Sequence, residues 1–481
     1  MVKTEGSATH GGLAFALIYF TFFLDNVLLT VLVPIIPDWV RGEALALWAT
    51  HDAPLAALLN TTVHRITNEE PGKLDVVYCS KNGSGGSQAV VGLVLGAKAG
   101  AQLVAAPLAS AAVCRAGPAP VLRAATAMLA LAALGVAGCS SVEGGWGALC
   151  VGGARAAQGA GAALGGVAGL ALAAVALPTR QRDRAIGALL GAVALGVLVG
   201  YPFGGAANAL WSRSVPFLLI AAALLADLIM QYMFLDREEF CQATEGCGSG
   251  WGLRSGVAGV LGVSARGACG ACAGAVLLTT SVMAALEPCL PMWIMDKFHP
   301  QRWQTGAVFV PDSAGYLVAA SGVGGAARRL GAERVALAAQ LAVGVAALAV
   351  PHATSVSWLA LPHLALGLGL GATDAALVPA LLARQPARVP QLAALLQAAS
   401  SIAYTLGPVA GGLVSWFAGF EATMRTLGVL NLLYAGLLYR ALKENPLSEQ
   451  WGASTPSDEG EGSDCSGEGT PLRPHQYSAL H

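Results

Sequence analysis

The chain has 481 residues, 55% hydrophobic and 11% charged, with a mean hydropathy of +0.61 and a formal net charge of −1. That little charge cannot cover a soluble domain of this size, the apolar content excludes a disordered chain, and the near-zero net charge gives no footprint for nucleic acid. The 61 glycines lie among alanines in apolar runs, with no Gly-X-Y period, which leaves a polytopic α-helical membrane protein.

Runs of about 20 apolar residues predict twelve spans. The first, 12–37, is too long for a signal-peptide core and reads as a retained helix after a short N-terminus, 1–11. It holds Asp25 and Asn26 within FFLDNVLLTVLVPIIP. A long polar connection, 38–88, follows, with two glycosylation sequons at Asn60 and Asn82. Spans at 89–113, 121–140, 147–177, 185–206 and 215–235 complete a first half, 12–235. Lys98 lies in the second span, Arg155 in the fourth, the run GVLVGYPFGG in the fifth and Asp227 in the sixth. Residues 236–268 read as a central loop. The second half, 269–441, holds spans at 269–293, 306–326, 334–351, 357–382, 391–417 and 422–441, with Glu287, Asp312 and Asp374 in the first, second and fourth. The tail, 442–481, is acidic and rich in Gly and Ser, so disorder is expected there.

Twelve transmembrane helices in two six-helix halves predict the major facilitator architecture, all-α, with a midplane site between the halves. Seventeen Lys and Arg residues fall at the termini and on the connections sharing their side, against eight on the other. That bias places both termini in the cytosol and 38–88 on the lumenal face. Cys79 is the one cysteine expected on the oxidising side, so no disulfide framework is expected, and no metal site either.

An ionisable residue within a span costs about 2.5–3.5 kcal/mol even on the mildest scale, so each needs a partner or a wet cavity. Asp25 and Lys98 lie mid-span in neighbouring helices and are expected to pair, as a structural bridge or as a proton-responsive one. Glu287 precedes Pro288 and Pro291, which free carbonyls to line a cavity. Asp374 has no partner on its own helix. Asp227 and Asp312, nearer span ends, read as snorkelling or capping groups. The acids outnumber the bases, which favours a cationic solute, a proton, or both. Trp293, Phe309, Tyr316 and Tyr404 offer aromatic faces to a cation, or simply pack. Gly196, Gly200, Pro202 and Gly204 suit close helix contact and are expected to face the other half.

These motifs resemble the vesicular amine transporters, proton antiporters of the major facilitator superfamily. The likeness runs from about residue 13 to 440 and is carried by LDNVLLTVLVPIIPDW, VGLVLGAKAGAQL, ARAAQGAGAALGGVAG, ALGVLVGYPFGG, ALEPCLPMWIM, RWQTGAVFVPDSAGYL, TDAALVP and YTLGPVAGG. It implies that Asp25, beside Asn26, binds the substrate ammonium and that Lys98 is its ion-pair partner. It implies that Arg155, Glu287 and Asp374 belong to the binding and proton-coupling network, and that the four aromatics line the central site. It also implies residence in secretory or synaptic vesicles, a cationic monoamine and protons as ligands, contact with lipid, a monomeric state, and no catalytic residue or cofactor beyond the proton gradient. LDNVLLTVLVPIIP favours the monoamine branch, whereas DAALVP leans toward the acetylcholine branch. A drug/proton antiporter of the same fold and a non-transporting sensor are the rival readings. The chain departs from the family at Gln397, where a titratable acid is usual, and at Leu95, where an aromatic is. The family's disulfide partner for Cys79 is His299 here, so that bridge is not expected.

Overall fold

The computed structural model describes residues 2–32, 85–139, 145–176, 179–210, 214–235, 252–298 and 307–447. Among these the structure is helical, without strands. The helices are α1 (Val2–Val31), α2 (Gly85–Ala116), α3 (Pro118–Cys139), α4 (Gly145–Ala176), α5 (Thr179–Leu210), α6 (Val215–Phe234), α7 (Leu253–Ser264), α8 (Cys269–Phe298), α9 (Val310–Leu330), α10 (Ala332–Ala349), α11 (Ala360–Arg384), α12 (Val389–Ala418) and α13 (Phe420–Glu444). All but α7 correspond to the expected spans. Long runs of Ala and Leu favour helix, and single residues suffice to reverse the chain where glycine takes a left-handed backbone. Gly331 (φ 92°) links α9 to α10 and Gly419 (φ 87°) links α12 to α13.

Ten of the twelve long helices are long and apolar enough to cross a membrane by length and composition. The two that fall short are α9 and α13, which carry polar groups on buried faces. On α13, Asn431 (0% exposed) accepts from Gln340 of α10 at 2.7 Å and donates to the Leu278 carbonyl of α8 at 3.3 Å. Helices with such faces are held by neighbours rather than by lipid.

Three expectations need correction. The central connection contains α7, whose small and apolar residues Gly256, Val260 and Val263 recur at helical spacing and are buried. A Cβ at Gly256 would strike the Pro107 backbone of α2, and one at Gly259 would lie 3.4 Å from Gln391 of α12, so α7 sits across both halves. The tail is ordered at its start: Arg384 donates to the carbonyls of Asn445 (3.1 Å) and Pro446 (2.8 Å), the Leu447 amide donates to Glu333 (2.7 Å), and Leu447 is buried. The tail beyond 447 lies outside the described residues, as do Asn60, Asn82, Cys79 and His299. The third concerns cysteine: Cys139 and Cys150 form a disulfide between the end of α3 and the start of α4. Both lie within expected spans, so elimination by compartment missed them. On the expected topology that turn shares the lumenal side with 38–88, where disulfides persist.

The disulfide supports a direct test of orientation. Cys139→Ser frees Cys150, which is exposed. An impermeant maleimide is expected to label the variant's Cys150 only when it reaches the lumenal face, and to leave Cys150 unlabelled in the unreduced wild type. Labelling from the cytosolic side would reverse the topology.

The packing is uneven along the bundle. At the α7 end, one buried cluster draws on both halves, including Leu17, Val113 and Ile186 from the first and Cys272, Leu377 and Leu392 from the second. At the other end each half has its own cluster, one around Leu28, Leu129 and Phe217, the other around Leu286, Trp293 and Met424. Among the described residues the halves therefore share a core at the α7 end and keep separate cores at the opposite end.

Candidate functional site

The ionisable residues of the first half converge. Lys98 Nζ lies 3.6 Å from Asp25 Oδ1, with both side chains largely buried. Gln158 Nε2 donates to the same Oδ1 at 3.2 Å and to the Asp25 carbonyl at 3.3 Å, while its Oε1 accepts from Arg155 Nη1 at 2.7 Å. Arg155 is 1% exposed, so its charge has to be answered locally. It lies within electrostatic reach of Asp25 and of Glu287, across the gap. Gln158 was missed in the sequence. The available signal was its spacing, three residues after Arg155 on one face of α4.

Close approach of α2 and α4 sets this geometry. A Cβ at Gly159 would stand 2.9 Å from the Lys98 carbonyl carbon and 3.1 Å from its Cα. Glycine there lets the Lys98 backbone rest against α4 and brings Lys98 to Asp25.

In the second half, Tyr316 of α9 donates its hydroxyl to Asp374 Oδ2 of α11 at 2.8 Å. Tyr404 lies within electrostatic reach of Tyr316 and is 37% exposed. Glu287 is exposed, and its proximity to buried Arg155 sets it on the gap between the halves. Asp312, in the first turn of α9, is 8% exposed with Oδ1 unpartnered and lies within electrostatic reach of Glu287, so it is not a snorkelling group. Among the described residues, Asp374 and Asp312 have no ion-pair partner. Asp25 pairs with Lys98, and Arg155 has Asp25 and Glu287 within reach, which leaves Asp374 and Asp312 as the acids that no described cation answers.

Other candidate residues stand elsewhere. Trp293 (9% exposed) is enclosed by Phe420 at 4.8 Å and Phe298 at 5.5 Å, beneath Lys297 at 4.4 Å, and its indole donates to Glu421 at 3.0 Å. That hydrogen bond holds the Glu421 carboxyl, at the rim of the bundle, below its ordinary range. Phe309 packs edge-on to the His363 ring at 6.1 Å. Asn26 turns its amide back to the Phe22 carbonyl at 2.8 Å, against α5 rather than beside the Asp25 carboxylate. Gln397 rests on Gly166 of α4, where a Cβ would stand 2.7 Å from its Oε1, so this residue does lie between the halves.

The glycine run also departs from expectation. A Cβ at Gly196 would be 2.5 Å from the Phe23 carbonyl and 2.8 Å from the Asn26 Cβ, and one at Gly204 would be 2.6 Å from the Val31 carbonyl. Gly200 faces Thr30 and Val27 in the same way. The ridge seats α5 on α1 inside its own half, and Pro202 is exposed. The contacts to the other half come earlier on α5, from Gly187 against Ala320 and Gly191 against Ser321. The four-residue spacing was legible, but the partner depends on the rotation of α5.

Two helical halves joined at one end, with a buried arginine of one half facing an acid of the other, define a membrane-embedded solute transporter rather than an enzyme. The family model of the Major Facilitator Superfamily matches residues 14–245 and 272–475, and the chain belongs to that superfamily. It is 27% identical over 473 residues to the human synaptic vesicular amine transporter, covering 90% of this chain and 88% of that protein. It is 28% identical over 303 residues to the human chromaffin granule amine transporter (62% and 55% covered) and 27% identical over 313 residues to the Drosophila melanogaster vesicular acetylcholine transporter (64% and 49%). In fold it is similar to the human organic anion transporter MFSD10 (TETRAN), with a TM-score of 0.71 and 18% identity, covering 89% of this chain and 99% of that one.

Proposed function

We propose that this protein is a proton-coupled antiporter that loads a cationic monoamine from the cytosol into acidic vesicles. The observation that carries the reading is the charge distribution: the Asp25–Lys98 ion pair, Arg155 within electrostatic reach of Asp25 and Glu287, and two further acids, buried Asp312 and half-buried Asp374, that no described cation answers. A cavity so built favours a protonated amine or a proton over an anion or a sugar. The long likeness to vesicular amine transporters supports the solute class and the compartment.

On this reading the ammonium pairs with Asp25 in competition with Lys98. Gln158 keeps the carboxylate oriented while its partner changes. Tyr316 and Tyr404 supply a hydroxyl and a ring face beside Asp374. Protons entering from the lumen neutralise Glu287 and Asp374, and a neutral cavity no longer retains the amine. Competition between proton and amine for the same carboxylates makes the exchange obligatory. Each pH unit supplies about 1.4 kcal/mol per proton. Each net charge moved gains about 2.3 kcal/mol per 100 mV. Gln397 takes no proton, so coupling falls to Glu287 and Asp374.

The test is uptake of labelled serotonin, dopamine and acetylcholine into acidified vesicles carrying the protein, with and without an uncoupler. Uncoupler-sensitive monoamine uptake is expected. Uptake of acetylcholine alone would move the protein to the other branch, and no amine uptake by correctly inserted protein would overturn the reading.

A further inference from the structure

A second polar cluster lies within the first half, enclosed by α1, α3 and α6. Asp227 and Thr21 are 1% exposed, and Gln231 and Thr126 are 0% exposed. Thr21 Oγ1 is 2.7 Å from Asp227 Oδ2 and 3.0 Å from the Leu17 carbonyl. Gln231 Nε2 is 2.9 Å from Thr126 Oγ1, 3.0 Å from Asp227 Oδ2 and 3.1 Å from Thr21 Oγ1. Thr126 Oγ1 is 3.0 Å from the Leu122 carbonyl. Asp227 is therefore not a snorkelling group: it faces two neighbouring helices rather than lipid or a span end.

The charged surroundings offer it no counter-ion. From α3 the ionisable neighbour is Arg123, which gives its guanidinium to the carbonyls of Gln231 (3.2 Å) and Leu235. The same guanidinium lies 4.8 Å from the ring centre of Tyr232, the ionisable neighbour on α6 itself. From α1 the next acid is Asp25, one turn beyond Thr21 and engaged with Lys98 and Gln158. No described ionisable side chain of α5 reaches the cluster. Asp227 makes no ion pair among the described residues, and its Oδ1 is buried without a partner.

Hydrogen counting then decides. The six short contacts share two hydroxyl hydrogens and two amide hydrogens. Threonines within helices ordinarily donate to the carbonyl one turn back, which uses both hydroxyl hydrogens here. Gln231 supplies two of its three contacts. The 2.7 Å contact between Thr21 and Asp227, the shortest of the set, has a hydrogen only if Asp227 brings it. The alternative, with Thr21 donating, leaves an anion in the membrane with one oxygen bare and no cation, the arrangement that burial in lipid disfavours most.

We propose that Asp227 is a second proton-binding site, apart from the central one: a neutral carboxylic acid whose Oδ2–H donates to Thr21 Oγ1 and ties α1 to α6. The site does not depend on which solute is carried, and its test does not read transport. Infrared difference spectra of the purified full chain in lipid, wild type minus Asp227→Asn at neutral pH, are expected to show the carbonyl band of a protonated acid, shifted in heavy water. Asp227→Asn keeps a donor to Thr21 and is expected to melt with the wild type, whereas Asp227→Leu melts lower. Carboxylate bands in place of the acid band overturn the proposal, as does Asp227→Asn melting as low as Asp227→Leu. If Asp227→Asn cannot be purified, Thr21→Val reads the same bond. The acid band then shifts without vanishing, and an unshifted spectrum overturns the proposal.

Discussion

Asp25→Asn is expected to abolish amine uptake and also to lower the melting temperature of the protein. The two effects have different origins. Uptake fails because the neutral amide offers the ammonium no charge. Stability falls because Lys98, 7% exposed, loses the partner 3.6 Å away. Breaking one side of a buried ion pair costs about 3–5 kcal/mol, because the remaining charge is stranded. The double variant Asp25→Asn/Lys98→Gln removes both charges, so most of the lost stability is expected to return while uptake stays absent. Thermal melting in lipid beside uptake in vesicles measures both. Uptake restored by the double variant would show that Asp25 serves only to hold Lys98, and the substrate role would fall.

Gly159→Ala is expected to be strongly destabilising although it adds one methyl group. The new Cβ meets the Lys98 backbone, which cannot rotate aside as a side chain can. Overpacking of this kind costs about 1–3 kcal/mol, and more where the backbone must shift. The displaced segment carries Lys98 itself, so uptake is expected to fall along with stability. Gly152→Ala is the control on the same helix. Nothing lies within 4 Å of its Cβ position, and Ala is about 1 kcal/mol better than Gly in a helix interior, so that variant is expected to melt at or above the wild type. Equal melting of the two variants would show that α2 and α4 have room to separate.

The glycine positions also show how legibility divides. All 61 glycines look alike in sequence, and Gly152 and Gly159 lie seven residues apart in one Ala-rich run. One faces open space and the other a lysine backbone. The same holds for the aromatics: Trp293 and Tyr404 were equal candidates as walls, yet Trp293 is packed among Phe298 and Phe420 while Tyr404 is 37% exposed. For Asp227 and Asp312 the distance to a span end does not set the surroundings; the side of the helix each occupies does.

Composition alone determined the class of protein, because about 20 apolar residues in succession have one stable setting. The number of long helices, their division into halves and the pairing of Asp25 with Lys98 followed from hydropathy and from the cost of a lone charge in lipid. Tertiary structure decided the rest: the bridge from Arg155 through Gln158 to Asp25, the docking of the glycine ridge on α1, the Cys139–Cys150 link, the helix within 236–268, and the end at which the halves join. These depend on helix rotation and on contacts between residues distant in sequence. In a bundle that is apolar on nearly every face, periodicity does not encode which face meets which neighbour.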